Sequence, residues 1–347
     1  MSTNGAGAGF ETPGLVCAHH HLYSTLARGM PAPPRVPKDF GEILELVWWR
    51  LDLALDEEMI RWSAMLGALE ALERGTTAIV DHHASPNAIE GSLDVIADAC
   101  EAVGVRSSCC YEVTDRNGAD GMRRGLEENE RFLRGGGQGF VGAHACFTLS
   151  DESLAAVSGL AEDLGAGVHI HVAEGEIDRA AGSRLEGVAR SDWLLAHCVH
   201  LDRPLEGRIA HNARSNMNNA VGYARPTRWA GSNTVALGTD GIGGDMLEEF
   251  RIAYVRHRES DVTASPESAW SFLEGGYELF PEAHEDRVVW SYEPMEPWHL
   301  AFTPGVRPLE VTVGGEVVLS DGVPTKVDPV EVRARAAEQA ARLHSRL

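Results

Sequence analysis

Apolar and polar positions follow two rhythms along the chain. Short, nearly unbroken apolar runs end in polar residues: "LVCAHHH" from Leu15, "TTAIVDHH" (76–83), "RSSCCYEV" (106–113), "GFVGAHACF" (139–147), "GAGVHIHVAE" (165–174), "DWLLAHCVH" (192–200), "GRIAHNARSN" (207–216) and "NTVALGTDG" (233–241). Between the first two, Met59, Trp62, Leu66 and Leu69 recur at helical steps ahead of Gly75, placed to cap the helix. Similar patterns fill 91–103, 120–134 and 151–164. Buried strands alternating with amphipathic helices predict a parallel sheet. Eight such units match an α/β fold of the (β/α)8 TIM-like barrel type, expected over 13–285. One connection is too short: "LDRPLEGR" (201–208) cannot hold a crossover helix, so the sixth helix is predicted to be missing or reduced to a turn. From 286 the pattern changes to apolar runs around Gly314 and Gly315, a hairpin signal, predicting a small β appendage over 286–325 and a C-terminal helix within 326–347.

Composition narrows the partners. Of 347 residues, 44% are hydrophobic, enough for a large core, and 52 acidic against 30 basic residues give a formal charge of −22. Such a surface repels phosphate backbones and anionic lipid, so no nucleic-acid or membrane partner is expected. With no apolar run of membrane-spanning length and no basic-then-apolar leader, a cytoplasmic protein acting on a small molecule is expected. The six cysteines show no C-x-x-C spacing and are expected to be reduced.

The histidines carry the chemistry. Eleven of fifteen fall in or just after the proposed strands: His19, His20, His21, His82, His83, His144, His169, His171, His197, His200 and His211. A lone strand histidine is more often a satisfied core residue than a ligand. The pattern argues otherwise here, because residues two apart share a strand face. His19 and His21 can meet one metal while His20 points away, and His169 and His171 share a face with Glu174 three residues further on. Asp240, after the last run, is a natural oxygen ligand. Imidazoles plus a carboxylate suit one divalent ion, zinc first, with Fe²⁺ an alternative.

These segments, with "WWRLDLALDEE", "TDRNG", "GAHACFT" and "HNARSNMNN", resemble the amidohydrolase superfamily, and within it the SsnA-type aminohydrolases of the chlorohydrolase and cytosine-deaminase-like branch. The resemblance implies metal ligands His19, His21, His171 and Asp240, Glu174 as proton shuttle, and His197 as the group that orients and activates water. It further implies catalytic participation of Asp240 and substrate contacts at His144, Tyr23 and His82. The implied reaction is hydrolysis of a C–N bond by a metal-bound hydroxide. Deamination of an amidine-like or heterocyclic substrate leads. Hydrolysis of an amide or cyclic amidine in a peptide-like natural product is the alternative, and a metal-binding, non-catalytic relative the second. Retention of Glu174 and His197 argues against that last reading, since a scaffold needs neither.

Binuclear relatives bridged by a carboxylated lysine are excluded, because the chain's lysines are Lys38 and Lys326, neither near a middle strand. Set against the family, the region 286–325 is expected to be a remnant of a small β-sandwich without its N-terminal half. Its exposed edges lead to the expectation of a homodimer. "GQGFVG" (137–142) precedes a strand and is read as a loop, no G-x-S-x-G elbow occurs, and Trp48 and Trp49 are candidates for a substrate entrance.

Overall fold

The computed structural model describes residues 11–347. Thirteen strands form: β1 (Glu11–Thr12), β2 (Leu15–His20), β3 (Thr76–His83), β4 (Arg106–Tyr111), β5 (Val141–Ala145), β6 (Val168–Val172), β7 (Leu194–His197), β8 (Arg208–His211), β9 (Val235–Leu237), β10 (Arg287–Trp290), β11 (Pro308–Val313), β12 (Glu316–Ser320) and β13 (Val323–Pro324). Parallel pairing runs β2-β3-β4 and β5-β6-β7-β8-β9. Parallel bridges join these two sheets at both seams, Cys109 to Gly139 and Val113 to Ala143 on one side, His20 to Asp240 on the other. Eight parallel strands therefore close into the expected barrel. Parallel strands covered on both faces read as continuous apolar runs, which made them visible in the sequence.

The helices stop where their local chemistry dictates. Glu57–Leu72 starts at Asp56, whose side chain accepts from the Met59 N–H at 3.0 Å. It ends at Leu72, three residues short of the expected Gly75 cap. Gly75 serves another purpose: at φ 80° it lies against Trp290, and a Cβ there would sit 2.4 Å from the indole. Ser92–Val103, Gly118–Arg134 and Asp151–Leu164 cover the next strands, and no helix lies between β7 and β8, as the short connection requires.

Inside the barrel, Val16, Ala18, Ala78, Val80, Leu194, Ala196, Ala210 and Ala236 pack together with Phe280 and Ala283. Small interior side chains leave the strand ends free to carry polar groups. The outer faces of the same strands, such as Leu15, Cys17, Ile79, Ile170 and Leu195, join the main core beneath the helices. All six cysteines are buried and free.

The appendage is larger than one hairpin. Its antiparallel sheet runs β1-β10-β11-β12-β13, with Glu11 opposite Val289 and Thr12 opposite Val288. The segment ahead of the first barrel strand thus contributes to it. Both edge strands are only two residues long, which blunts the edges on which the homodimer expectation was built. The C-terminal helix, Pro329–His344, buries Val332, Ala336 and Leu343 in the main core. Just past its end the chain reaches helix Trp49–Ala54 and Asp56: Arg346 donates to the Ala54 carbonyl at 2.7 Å and to Asp56 at 2.6 Å. Among the described residues no helix is long and apolar enough to cross a membrane.

Candidate metal centre

Three backbone devices bring the polar side chains to one end of the barrel. Plain alternation suffices for β6, where Val168, Ile170 and Val172 face the helices and His171 turns inward. On β2 it would fail. Val16 and Ala18 are interior, so regular pleating would turn His19 and His21 outward; a register shift between Cys17 and His20 swings them in. On β7 Ala196 is interior and His197 follows it, turned by a left-handed backbone at φ 71°. Asp240, at φ 55°, and Ala173 just before Glu174, at φ 47°, use the same device. Non-glycine residues in this region are strained, and such strain clusters at functional sites. Gly238 allows the approach of the Asp240 turn, since a Cβ there would sit 2.8 Å from the His19 backbone nitrogen.

The side chains converge. Asp240 Oδ1 is 3.2 Å from His19 Nε2 and 3.0 Å from His21 Nε2, and His171 Nε2 is 3.2 Å from His21 Nε2. One donor atom each from His19, His171, His197 and Asp240 lie within 4.8 Å of one another. Each imidazole is oriented through its other nitrogen. His21 Nδ1–H donates to the His82 carbonyl, His171 Nδ1–H to the His144 carbonyl at 2.7 Å, and His197 Nδ1–H to Asn216 Oδ1 at 2.8 Å. His19 Nδ1 is 2.8 Å from His169 Nε2. Oxygen acceptors fix a proton on Nδ1 of His21, His171 and His197 and turn Nε2 inward, the nitrogen that a metal would take. His19 Nε2 and His197 Nε2 are buried without a hydrogen-bond partner, a cost that an ion would remove. His20 faces away, its Nδ1 2.9 Å from Thr239 Oγ1.

Electrostatics keep His19, His169 and His171 neutral and pair a protonated His21 with the Asp240 carboxylate. Burial pushes His19 down to about 3 and holds His171 and His169 well below the usual range. Burial opposes charge on His21 and Asp240 too, but their mutual hydrogen bond carries His21 up to about 9 and holds Asp240 well below an ordinary carboxyl. Burial pushes Glu174 up to about 7, with His197 pulling it down. Glu174 Oε2 lies 3.5 Å from His197 Nε2, and Asn219 Nδ2 donates to its other oxygen at 3.4 Å.

A narrow cavity of about 50 Å³ opens onto these groups. Tyr23 and His144 line it together with Trp48 and Trp49. His144 has a fixed role as an acceptor. Thr148 Oγ1 donates to the Ala145 carbonyl at 3.1 Å, so it accepts from His144 Nδ1–H at 2.7 Å and leaves Nε2 bare. His82 departs from its expected place as a substrate contact: it is fully buried behind the wall, with Nε2 3.1 Å from the Ala143 carbonyl. Alternation on β3 puts its ring inside the barrel, beneath the cavity floor. Asp52, Glu112, Asn216 and Asn219 belong to the site or its support and were not singled out from the sequence. The signal for the asparagines was present, since "HNARSNMNN" spaces Asn212, Asn216 and Asn219 along one turn-and-helix segment after β8.

Residues 10–274 match the model of the Amidohydrolase family. The chain is 30% identical to the 5'-deoxyadenosine deaminase of Methanopyrus kandleri, over 96% of this chain and 86% of that protein. It is 34% identical to a 5-methylthioadenosine/S-adenosylhomocysteine deaminase of Pelotomaculum thermopropionicum, over 75% of this chain and 64% of the relative. Among solved structures, an adenosine deaminase from Xanthomonas campestris with bound zinc superposes with a TM-score of 0.81 at 21% identity, covering 97% of this chain and 87% of that one. A mutant of atrazine chlorohydrolase TrzN from Arthrobacter aurescens, complexed with zinc and atraton, gives 0.81 at 21% identity over 96% and 89%. These two likenesses speak for the fold. The chain belongs to the amidohydrolase family. It is a metal-dependent hydrolase of carbon–nitrogen bonds other than peptide bonds, acting on a small molecule.

Proposed function

We propose that the chain is a mononuclear zinc aminohydrolase that removes the exocyclic amine of a purine-like heterocycle. The observation that carries this reading is the convergence of His19 and His21 Nε2 on Asp240, with Glu174 and His197 paired beside them. Similarity to deaminases of adenosine-type compounds supports the substrate class.

His19, His21, His171 and Asp240 are the residues that would hold the ion. A single ion is supported by how the candidate donor sets overlap. His19-His171-His197-Asp240, His21-His82-His171 and Glu112-His144-His171 all use His171, and its Nδ1 is already bonded to the His144 carbonyl. One free nitrogen serves one ion. When bound, the ion supplies Lewis acidity that makes water a nucleophile near neutral pH.

The chain's own groups handle the protons. Glu174, pushed up to about 7, is present in both protonation states near neutrality, so it can accept a proton from water and pass one to the departing amine nitrogen. His197, locked by Asn216, presents Nε2 to the same water and keeps the Glu174 carboxyl in place. His144 Nε2, a fixed acceptor on the cavity wall, receives an N–H or O–H of the substrate, and Tyr23 packs its ring edge-on against His21 at 5.5 Å. Burial of the whole set keeps bulk water from competing for these hydrogen bonds.

The test is ammonia release by the zinc-loaded protein from a panel of 6-aminopurine nucleosides, aminopterins and aminotriazines. Release from at least one of them is expected. Release of none, together with hydrolysis of a small amide, would replace deamination by amide cleavage.

A further inference from the structure

The cavity wall contains a second polar cluster that the reaction does not use. Asp52, from helix Trp49–Ala54, and Glu112, just beyond β4, both line the cavity, at 2% and 6% exposure. One nitrogen of Arg116, Nη2, donates to Asp52 Oδ2 at 2.8 Å and to Glu112 Oε1 at 3.1 Å. The guanidinium is itself held over the Trp49 ring, 4.8 Å from its centre. Each carboxyl keeps a second oxygen. Asp52 Oδ1 is buried and has no donor. Glu112 Oε2 faces His82 Nδ1 at 3.7 Å, but His82 carries its proton on Nε2, toward the Ala143 carbonyl, so that nitrogen cannot donate.

Asp52 Oδ1 is thus a buried acceptor without a donor, which is rare in a native structure, and Glu112 Oε2 accepts no hydrogen bond among the described residues. Once Asp52, pushed up by burial to about 7, is ionised, two carboxyls against one guanidinium leave the wall acidic, which disfavours a carboxylate or phosphate there. Aromatic rings of Tyr23, Trp48 and Trp49 border the same space. Rings beside carboxyls suit a planar cation, which draws on both.

We infer that Asp52 and Glu112, held by Arg116, form a subsite for a positively charged N–H donor group, an amidinium, guanidinium or ammonium, carried by the substrate away from the amine it loses. Glu112 is the specificity-determining residue of this subsite, and the inference rests on the deaminase reading for its place in catalysis. The two free oxygens take two N–H donors of the group. Arg116 keeps the carboxyls apart and prevents them from turning toward the protein.

Benzamidine, a planar amidinium, tests this without turnover at about pH 8, where Asp52 is ionised. Calorimetric titration of the zinc-loaded protein is expected to show benzamidine binding at least tenfold more tightly than benzyl alcohol, its neutral counterpart. Glu112→Gln should weaken benzamidine about tenfold while zinc content and benzyl alcohol binding stay unchanged; Glu112→Asp should recover part of the loss. Asp52→Asn is the second variant should Glu112→Gln not fold. Equal binding of the two probes, or benzamidine binding untouched in a folded variant, would overturn the subsite. Loss of the subsite with ammonia release intact leaves the deaminase reading standing. Benzamidine binding with no ammonia from any amine does the reverse.

Discussion

The Nδ1–H of His197 donates to Oδ1 of Asn216 across 2.8 Å, joining the end of β7 to the helix after β8. That bond fixes the imidazole tautomer and aims Nε2 at Glu174. The backbone of His197 is left-handed, so nothing in ordinary strand geometry would otherwise hold the ring there. Asn216→Ala should therefore keep the zinc while lowering kcat about 10- to 100-fold, the usual scale for a partner that orients a histidine at a metal site. Zinc content and steady-state rates measured on the same preparation check it; an unchanged kcat would remove the orienting role.

Glu174→Gln separates shuttle from ligand. The amide keeps the hydrogen-bonding shape but cannot take a proton, so turnover should fall about 100-fold or more with zinc retained. Loss of zinc from this variant would make Glu174 a ligand instead.

Asp240→Ala and His171→Ala should release the ion. Each removes a donor to which the other groups are pinned, Asp240 standing within 3.2 Å of His19 and His21. Zinc retention under chelator competition is expected to drop at least tenfold for both. Wild-type retention in either would exclude that residue from the ligand set.

Asp81 gives a prediction about stability and pH. It is fully buried on β3, one oxygen accepting from the Leu22 N–H at 2.6 Å and the other without a partner. Burial pushes its carboxyl up to about 7, against an ordinary value of 3.8. A folded-state value above the unfolded one means that the native state holds the proton more tightly. The stabilisation is then complete at pH below about 4 and is lost as pH rises toward 7, at up to about 1.4 kcal/mol per unit. Asp81→Asn should lose less stability than the wild type between pH 5 and pH 7. Parallel urea denaturation curves at the two pH values check this, and identical losses in the two proteins would contradict it.

Much of the barrel was legible because parallel strands covered on both sides must be apolar, and because eight residues cannot cross over a sheet as a helix. The direction of the strand-end side chains was less so. Two-residue spacing pairs His19 with His21, but whether the pair faces the interior depends on the register shift after Cys17, which no side-chain pattern announces. His197 and Asp240 reach the site through left-handed backbones that residue type does not disclose in histidine or aspartate. His82 misled because a histidine at a strand end looks the same whether its ring enters the cavity or the packed barrel beneath it. Thr12, paired with Val288 and accepting from the Trp290 indole at 2.8 Å, belongs to a two-residue strand too short to show a period.

The central claim is one ion on a defined set of donors, and anomalous diffraction at the zinc edge from zinc-grown crystals tests it most directly. The account predicts a single peak per chain, in bonding contact with Nε2 of His19, His21 and His171 and a carboxylate oxygen of Asp240. Two peaks, or a single peak on Glu112 and His144 in place of Asp240, would contradict it.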